Sequence, residues 1–438
     1  MWKKFIEDDT LSIRYMIIKI CFMKVLQIHK FHTKERGGGS VTSYFETAKY
    51  LKEQGHEVIF FSMTDPTNEK TKYEKYFAQG FDLSENMSMW KKIRLLPKTI
   101  YNREAMKKME KLLIAQKPDI AHAHNIEHYL TPAIYKVLKK HHIPIVMTLH
   151  NYSVICPNYK LFVRGKICEQ CKKTRYYKCF TNTCLKGSRA MSFVGMCDAY
   201  FNKIFKTYEC VDLFLAPSHF LKEKCVEFGM DPQKIEVVRN NYTPINISTH
   251  EDLNEDGEYF LYFGRISDEK GIDQLINAVK KLYDTGKLKE KKLYIVGKGP
   301  EESTLRAQVE RLQLEDVVQF LGFKKGDALT QIIEKSLFVV LPSIWYENAP
   351  FAVLEAQSLQ KPVIVSDLGG SRELIDEGRS GLVYKSNDVE DLANKMTKLL
   401  DKTVQKRQEM GIYGKQKSEE LIADSEKIIK IYQKLVKK

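Results

Sequence analysis

Apolar and polar positions along the chain predict short strands that alternate with amphipathic helices. In the first half, an apolar run at 24–28 leads into three glycines, and apolar residues then recur at helical spacing from Val41 to Leu51. Gly55 ends this helix. Further strands are predicted at 58–61, 119–123 and 143–149, with a helix at 131–140. Strands that alternate with helices favour right-handed crossovers and a parallel sheet.

The second half repeats the pattern more regularly. A helix is predicted at 271–283, where Ile272, Leu275, Ile276, Val279 and Leu282 share one face. Five strand-like runs lie at 259–263, 292–296, 317–321, 337–341 and 362–366. The predicted fold class is therefore α/β, with two Rossmann-like, doubly wound parallel-sheet domains that face a cleft. Ligands of such sheets bind outside the carboxyl ends of the strands.

These elements divide the chain into two domains and a linker region. The stretch 240–257 is polar and acidic and shows no periodicity. A first strand begins near Met23, so that an upstream extension precedes it, and whether the native protein starts at Met23 stays open. The predicted divisions are the extension 1–22, a first domain 23–215 with a cysteine-rich insert at 156–184, a linker region 216–257, a second domain 258–415 and a terminal helix 416–438.

Composition excludes several classes of protein. With 43% hydrophobic residues, 29% charged residues and 13 prolines, the chain has too much core-forming material for a disordered or fibrous protein. No run approaches the roughly 18 apolar residues of a membrane-spanning helix. The acidic residues at 7–9 do not suit the basic start of a signal peptide.

Charge is distributed unevenly. Residues 1–215 hold 36 Lys and Arg against 20 Asp and Glu, whereas residues 216–438 hold 34 against 36. The whole excess of positive charge lies in the first half, which suggests that this half faces an anionic partner. A well-solvated, lysine-rich surface is the alternative.

The segment 341–367 carries the strongest local signal for chemistry. A strand ends at Leu341, a loop carries Glu347, and a helix starts near Pro350, with Glu355 about one turn inside it. The helix amino terminus favours an anion, and the two carboxylates can accept hydrogen bonds from sugar hydroxyls. Two solvated carboxylates are the alternative interpretation.

The spacing of Glu347 and Glu355 resembles the signature of retaining glycosyltransferases of family four, which have the GT-B fold. Supporting fragments stand in the family's order at 264–271, 296–300 and 369–373, and in the first half at 37–40, 55–58 and 148–151. Together they cover nearly all of residues 23–400. The resemblance implies a transferase of nucleotide-activated sugars.

The resemblance also implies roles for individual residues. Arg265 and Lys270 would hold the donor diphosphate and stabilise the charge on the leaving group. Glu355 would bind the ribose hydroxyls, and His150 would approach the transferred sugar from the first domain. Glu347 with Asn348, Ala349, Pro350 and Phe351 would position that sugar, Gly322 and Phe323 would contact the base, and Gly37, Gly38, Gly39 and Ser40 would border the acceptor and phosphate region.

Simpler explanations exist for each of these residues, and two fragments depart from the family. Arg265 can form a surface ion pair, His150 can be an ordinary strand-end histidine, and the glycines can serve only to turn the chain. Many relatives have Phe-Gly where this chain has Asn348 and Ala349, which leaves the donor sugar open. The triplet 239–241 stands where relatives often have Pro-Asn-Gly, so the geometry of the hinge is open too.

We expect no cofactor for catalysis. The sequence lacks the Asp-any-Asp triplet with which metal-using transferases hold a nucleotide diphosphate. A separate structural zinc site is predicted in the insert, because thiols at such spacings can bind zinc and cytoplasmic proteins rarely form disulfides. Its ligands would come from Cys156, Cys168, Cys171, Cys179 and Cys184. Free buried thiols or a redox pair are the alternatives.

We predict a cytoplasmic enzyme that is peripheral on the inner face of the plasma membrane. The stretch 87–103 contains a Trp, several aliphatic residues and five basic residues, which suits an anionic membrane surface. An ordinary amphipathic helix packed on the sheet is the alternative.

The predicted reaction is transfer of a sugar from a UDP- or GDP-sugar to a lipid-linked saccharide, in the synthesis of bacterial capsule, exopolysaccharide or O-antigen. Three alternatives stay open: an enzyme that makes a soluble glycoside, a nucleotide-sugar epimerase, and a non-catalytic scaffold. Nucleic acid is not an expected partner, because the basic residues are spread over a Rossmann-like half that carries no recognised nucleic-acid motif.

Overall fold

The structure is a computed structural model that describes residues 22–35, 38–81, 95, 97–245, 257–422 and 425–437. Four sequence predictions fall wholly or mainly outside these residues. They are the extension 1–22, Gly37, the part of the basic stretch 87–103 that precedes residue 97, and residues 246–256 of the linker region.

The first domain contains a parallel sheet whose six described strands have the order β2-β1-β3-β4-β7-β8. Four strands in its centre are almost wholly buried, as expected for a sheet that is covered on both faces. Their bounds are β1 Lys24–Ile28, β2 Glu57–Phe61, β3 Ile120–Ala123, β4 Ile145–Thr148, β7 Leu213–Ala216 and β8 Ile235–Val237. A short antiparallel hairpin of β5 Phe162–Val163 and β6 Lys166–Ile167 lies in the insert.

The second domain repeats this arrangement with the strand order β11-β10-β9-β12-β13-β14, again six strands among the described residues. Each neighbouring pair is parallel. The strands are β9 Tyr259–Phe263, β10 Lys292–Val296, β11 Val318–Gly322, β12 Val339–Leu341, β13 Val363–Ser366 and β14 Gly381–Tyr384. The predicted α/β fold with two doubly wound sheets is therefore confirmed.

Helices connect the strands, and most of them bury their apolar faces against the sheets. In the first domain they are α1 Gly39–Glu53, α2 Arg103–Gln116, α3 Ile134–Lys140, α4 Tyr177–Thr181, α5 Arg189–Ile204 and α6 His219–Glu227. In the second part of the chain they are α7 Ile272–Asp284, α8 Glu302–Arg311, α9 Asp327–Glu334, α10 Phe351–Ser358, α11 Val389–Leu400, α12 Val404–Ile422 and α13 Ser425–Val436. Within the described part of the chain, no helix is long and apolar enough to cross a lipid bilayer.

The first domain extends further than the sequence predicted. Strand β8 pairs with β7, so residues 216–238 belong to the first domain and not to a linker. The pattern hid this because β8 is only three residues long and its middle residue, Glu236, is exposed.

The end of the chain also differs from the prediction of one terminal helix at 416–438. Two helices, α12 and α13, cover this region. The second of them returns to the first domain, where Ile428, Ile431 and Tyr432 join its hydrophobic core. The carboxyl terminus thus ties the two domains together.

Candidate functional site

The two sheets face each other across a cleft that contains a cavity of about 840 Å³. Its walls are built from segments that follow the strands at their carboxyl ends, which is the expected ligand site of such sheets. The first domain contributes Gly38, Gly39, Ser40, His150 and Asn151, among others. The second contributes Arg265, Lys270, Phe323, Glu347, Asn348, Ala349, Pro350, Phe351 and Glu355. The structure thus brings together most of the predicted site residues.

The loop that carries Glu347 is fixed within its own domain. Glu347 Oε1 accepts hydrogen bonds from Lys270 Nζ at 2.5 Å and from Ser343 Oγ at 2.7 Å. Lys270 also lies over the ring of Trp345, with its nitrogen 5.4 Å from the ring centroid. Since the Glu347 side chain is almost wholly buried, these partners hold a carboxylate that would otherwise be costly to bury.

Two glycines allow the chain to approach this loop closely. Gly369 adopts a φ of +70°, and a Cβ atom there would lie 2.2 Å from the carbonyl oxygen of Glu347. At Gly370 an added Cβ would lie 1.7 Å from the carbonyl oxygen of Asn348. Gly369 and Gly370, in the fragment 369–373, therefore leave room for the backbone of the Glu347 loop.

Positive charge lines the second domain's side of the cleft. Arg265 and Lys298 are exposed there, beside Lys270. The segment with Lys298 packs tightly, because a Cβ at Gly297 or Gly299 would lie 1.8 Å from a carbonyl oxygen of the 264–266 turn. The sequence predictions give Lys298 no role, although Lys298 lies between two glycines at the end of a strand. Three cations and the amino terminus of α10 suit an anionic ligand.

Glu355 lies on α10 and lines the cavity. Burial raises the pKa of its carboxyl group to about 7, because the charged form loses contact with water. Two other polar groups at the cavity wall, Trp345 Nε1 and Asn348 Oδ1, are buried without a hydrogen-bond partner in the described chain. Such groups are ready to bind a polar ligand.

Gly322 does not line the cavity. Its carbonyl oxygen accepts a hydrogen bond from the backbone nitrogen of Gly297 at 2.9 Å, so it supports the segment with Lys298. Its neighbour Phe323 is exposed at the cavity wall, with 58% of its surface accessible. A ring left open to solvent in this position suits stacking on a flat ligand group.

A buried chain of polar side chains leads from α13 to His150. Gln27 Oε1 lies 2.9 Å from His124 Nε2, and His124 Nδ1 lies 2.9 Å from His150 Nε2. An amide oxygen only accepts, so His124 carries its proton on Nε2 and accepts through Nδ1. His150 then donates through Nε2, which leaves its Nδ1 unprotonated. The chain continues through His122, which accepts from Tyr432 at 2.6 Å.

Burial keeps His150 neutral. Burial lowers the pKa of His150 to about 3, and burial with the neighbouring histidines lowers the pKa of His124 well below its usual value. The two rings are nearly parallel, with centroids 5.2 Å apart. His150 therefore presents a hydrogen-bond acceptor at the cleft. Sequence reasoning missed His124, Gln27 and Tyr432, because their link depends on the sheet.

Hydrogen bonds from the first domain flank Glu347 on both sides. Asn348 Nδ2 donates to the carbonyl oxygen of His150 at 2.7 Å, and Tyr152 OH donates to the carbonyl oxygen of Tyr346 at 3.1 Å. Tyr346 OH in turn donates to Glu169 at 3.1 Å. Asn348 is one of the residues that depart from the family pattern, and here it joins the domains.

Two further interdomain contacts lie outside the Glu347 loop. The carboxylate of Glu373 accepts from the backbone nitrogens of His219 and Phe220, at 3.0 and 2.8 Å, and from Arg239 at 2.8 Å. Lys160, in the insert, pairs with the buried Glu269 at 3.0 Å. Arg239 belongs to the triplet 239–241, which departs from the family pattern at the hinge, and it donates to Glu373 of the fragment 369–373.

Four of the five cysteines of the insert form two pairs. The thiols of Cys156 and Cys171 share a hydrogen bond, as do those of Cys179 and Cys184, and Cys168 stands near them. In the part of the chain that the structure describes, no group of three or more His, Cys, Asp or Glu side chains is arranged to hold a metal ion. The zinc site stays a prediction.

Two family models match consecutive parts of the chain. Residues 37–241 match Glycosyltransferase Family 4, and residues 246–417 match Glycosyl transferases group 1. An uncharacterized glycosyltransferase of Methanocaldococcus jannaschii is 32% identical over 41% of this chain and 49% of its own length. An uncharacterized 42.6 kDa protein in the cps region of Klebsiella pneumoniae is 26% identical over 80% of this chain and 87% of its own.

A third relative has a named reaction. The UDP-Gal:alpha-D-GlcNAc-diphosphoundecaprenol alpha-1,3-galactosyltransferase of Escherichia coli is 28% identical over 42% of this chain and 50% of its own length. The chain thus matches about half the length of two of these three relatives. Among solved structures, Anabaena HepE in complex with UDP and glucose has a TM-score of 0.64 at 17% identity and covers 93% of this chain and 99% of its own. That likeness shows the fold alone.

Replacing Glu355 with Gln should stabilise the unliganded protein by about 3 kcal/mol above pH ~7. The unfolded carboxyl group ionises near its ordinary pKa of 4.5, while the folded group resists ionisation up to about 7. The gain should therefore be full above the folded pKa and fade as the pH falls to 4.5 and below, where the unfolded carboxyl group is protonated as well. Urea unfolding at several pH values measures it. The control Glu315→Gln, at an exposed site, should change stability by less than about 0.5 kcal/mol, and a gain that persists at low pH would contradict this account.

His150 should remain neutral between about pH 5 and pH 8, with its proton on Nε2. Nitrogen chemical shifts of labelled histidines measure both properties, and His150→Gln identifies the resonance. In Gln27→Leu, the partner that orients His124 is lost, and we expect the tautomer at His150 to become mixed. Titration of wild-type His150 in this pH range, or a proton on Nδ1, would refute the inferred order of donors.

Proposed function

The chain belongs to the GT-B glycosyltransferases, with a Glycosyltransferase Family 4 region followed by a Glycosyl transferases group 1 region. We therefore propose that it transfers a sugar from a nucleotide-sugar donor to a saccharide acceptor with retention of configuration. The observation that carries the proposal is the second domain's side of the cleft. There Arg265, Lys270 and Lys298 surround a cavity at whose wall Glu347 and Glu355 stand.

The cations suit the leaving group of this reaction. When the bond from the sugar to the donor phosphate breaks, negative charge grows on the diphosphate. Fixed positive charges and the amino terminus of α10 stabilise that charge more strongly in the transition state than in the ground state. Lys270 links the two parts of the site, because it also binds Glu347.

The carboxylates suit the sugar and the ribose. Both hydrogen bonds of Glu347 go to Oε1, so Oε2 is the oxygen that would accept from a hydroxyl of the transferred sugar. Glu355 would accept from the ribose hydroxyls, and the cost of its burial would be offset by those bonds. His150 would accept a sugar hydroxyl through Nδ1, since its Nε2 is bound to His124.

We further propose a UDP-sugar as donor and a lipid-linked saccharide as acceptor, in bacterial polysaccharide synthesis. Three observations support this: the name of the E. coli relative, the cps location of the K. pneumoniae relative and the UDP bound to HepE. GDP-sugars are the second candidate donors. The enzyme would work at the inner face of the plasma membrane, where lipid-linked intermediates are assembled.

UDP should stabilise the protein against heat in proportion to its occupancy, more than GDP or ADP at equal concentration. Lys270→Ala and Arg265→Ala should each weaken UDP binding about tenfold or more, because each removes a charge-assisted contact to the diphosphate. Lys325→Ala is the matched control, since Lys325 is exposed near the cleft but does not line it. Equal affinities in all three variants, measured by calorimetry, would refute the donor site.

An α-linked UDP-sugar should give an α-linked product on polyprenyl-diphosphate-linked N-acetylglucosamine, as proton NMR of the anomeric position would show. The Glu347→Gln variant should lose turnover at least about a hundredfold while retaining UDP binding, because Glu347 contacts only the sugar. A β-linked product would refute retention. Equal turnover on a soluble saccharide would favour a soluble glycoside, and conversion of the donor sugar without an acceptor would favour an epimerase.

A further inference from the structure

The insert and α5 expose an unusual group of large apolar side chains. Thirteen such side chains are exposed in the described chain, and six of them fall between residues 177 and 205. We call these six the apolar patch: Tyr177, Phe180, Met191, Phe193, Ile204 and Phe205. Scattered single exposures are ordinary on a soluble protein, whereas a concentration of this kind marks an interaction surface.

Helix α5 turns its apolar residues outward. Phe193 and Ile204 are 50% and 71% exposed, whereas the buried residues of the helix are Ser192, Gly195 and Asn202. Phe193 and Ile204 are 11 residues apart, about three turns, so they lie on the same face roughly 16 Å from one another. A helix that only packs on a core shows the opposite arrangement.

The inner face of α5 has a reason to be polar. Ala199 and Asn202 line a second cavity of about 490 Å³, together with Asp198 and with Glu127 from the loop after β3. Apolar side chains on that face would fill this cavity. On the outer face, Phe193 and Ile204 are instead exposed.

Ring contacts join the patch across two helices. The rings of Phe180 on α4 and Phe193 on α5 stand 5.9 Å apart, and at the other end Phe205 contacts Phe201 at 4.4 Å. Lys136 lies over the Phe205 ring. Contacts between rings therefore fix several side chains of the patch, and a basic side chain lies beside one of its rings.

The surrounding charge is strongly positive. Residues 160–206 contain 11 Lys and Arg but only two acidic residues, Glu169 and Asp198. Both acidic residues are partly buried, while eight of the basic ones are exposed. The exposed set comprises Arg164, Lys166, Lys173, Arg175, Lys186, Arg189, Lys203 and Lys206. Such a surface is complementary to a dense anionic partner.

We propose that the apolar patch and these basic residues dock the first domain on an anionic lipid bilayer. Aromatic and aliphatic side chains would enter the interface, and the basic side chains would contact the headgroups. The inference rests on the proposed function, because a lipid-linked acceptor must be reached at a membrane. It places the membrane contact at the insert and α5, whereas the sequence pointed to the stretch 87–103.

Vesicle binding by the full chain tests the proposal without any need for donor or acceptor. We expect the protein to sediment with vesicles of phosphatidylglycerol and phosphatidylcholine in equal parts, and not with phosphatidylcholine alone. The variant Phe193→Ser, Ile204→Ser should lose most of this binding. Its control is Tyr283→Ser, Ile114→Ser, because these residues are 50% and 61% exposed outside the patch.

A charge series gives a second measurement. Neutralising Lys173, Arg175 and Lys203 to Gln should weaken vesicle binding by about fivefold for each charge removed. The control neutralises Lys287, Lys325 and Lys398, which are exposed on the second domain, and should leave binding nearly unchanged. Unchanged UDP binding shows that each variant is folded.

Three results would overturn the membrane proposal: equal binding of patch and control variants, binding that does not depend on anionic lipid, and a dimer in solution that the patch variant dissociates. The last result would assign the patch to a second copy of the chain. None of these results would affect the proposed glycosyl transfer, since UDP binding and turnover on a soluble acceptor are measured separately.

Discussion

The ion pair between Lys270 and Glu347 connects the parts of this protein on which its chemistry depends. Lys270 follows the first strand of the second sheet, and Glu347 lies in the loop that follows β12. Their contact fixes a cation and a carboxylate in the same cavity, although each would be costly to bury alone. The loop around Glu347 is then held from outside as well, because residues of the first domain bond to Tyr346 and Asn348. The hydrogen bonds that join the two domains therefore also hold the loop that carries Glu347.

Several features of the cleft lower the stability of the folded protein but suit the binding of a polar ligand. Burial raises the pKa of the Glu355 carboxyl group. Trp345 Nε1 and Asn348 Oδ1 are buried without a hydrogen-bond partner among the described residues. The glycines at 297, 299, 369 and 370 permit backbone contacts that any side chain would prevent. Such costs are expected where a protein must bind a polar ligand tightly and release it again.

The insert after β4 takes part in both halves of the proposed function. Glu169, between two of its cysteines, accepts from Tyr346, and Lys160 pairs with Glu269 across the cleft. The helix α4 of the insert and the helix α5 that follows the insert carry the apolar patch. The insert thus contacts the loop of Glu347, and the insert together with the following helix α5 presents the proposed membrane surface. Contact with a bilayer would orient the cleft relative to the lipid.

The sequence by itself determined the alternation of strands and helices, the two parallel sheets and most residues of the cleft. Periodicity, glycine turns and the spacing of Glu347 and Glu355 are local properties, and the segments that follow parallel strands must meet at one edge. The membership of β8 in the first sheet, the return of α13 and the polar chain to His150 were decided only by the tertiary structure. Tyr432 and His122 are 310 residues apart, and Tyr346 and Glu169 are 177 apart. The orientation of α5 was also decided by the tertiary structure. Its polar face lines a cavity, so its apolar face is exposed. No local pattern records which distant groups will share a buried space, because that depends on how the whole chain packs.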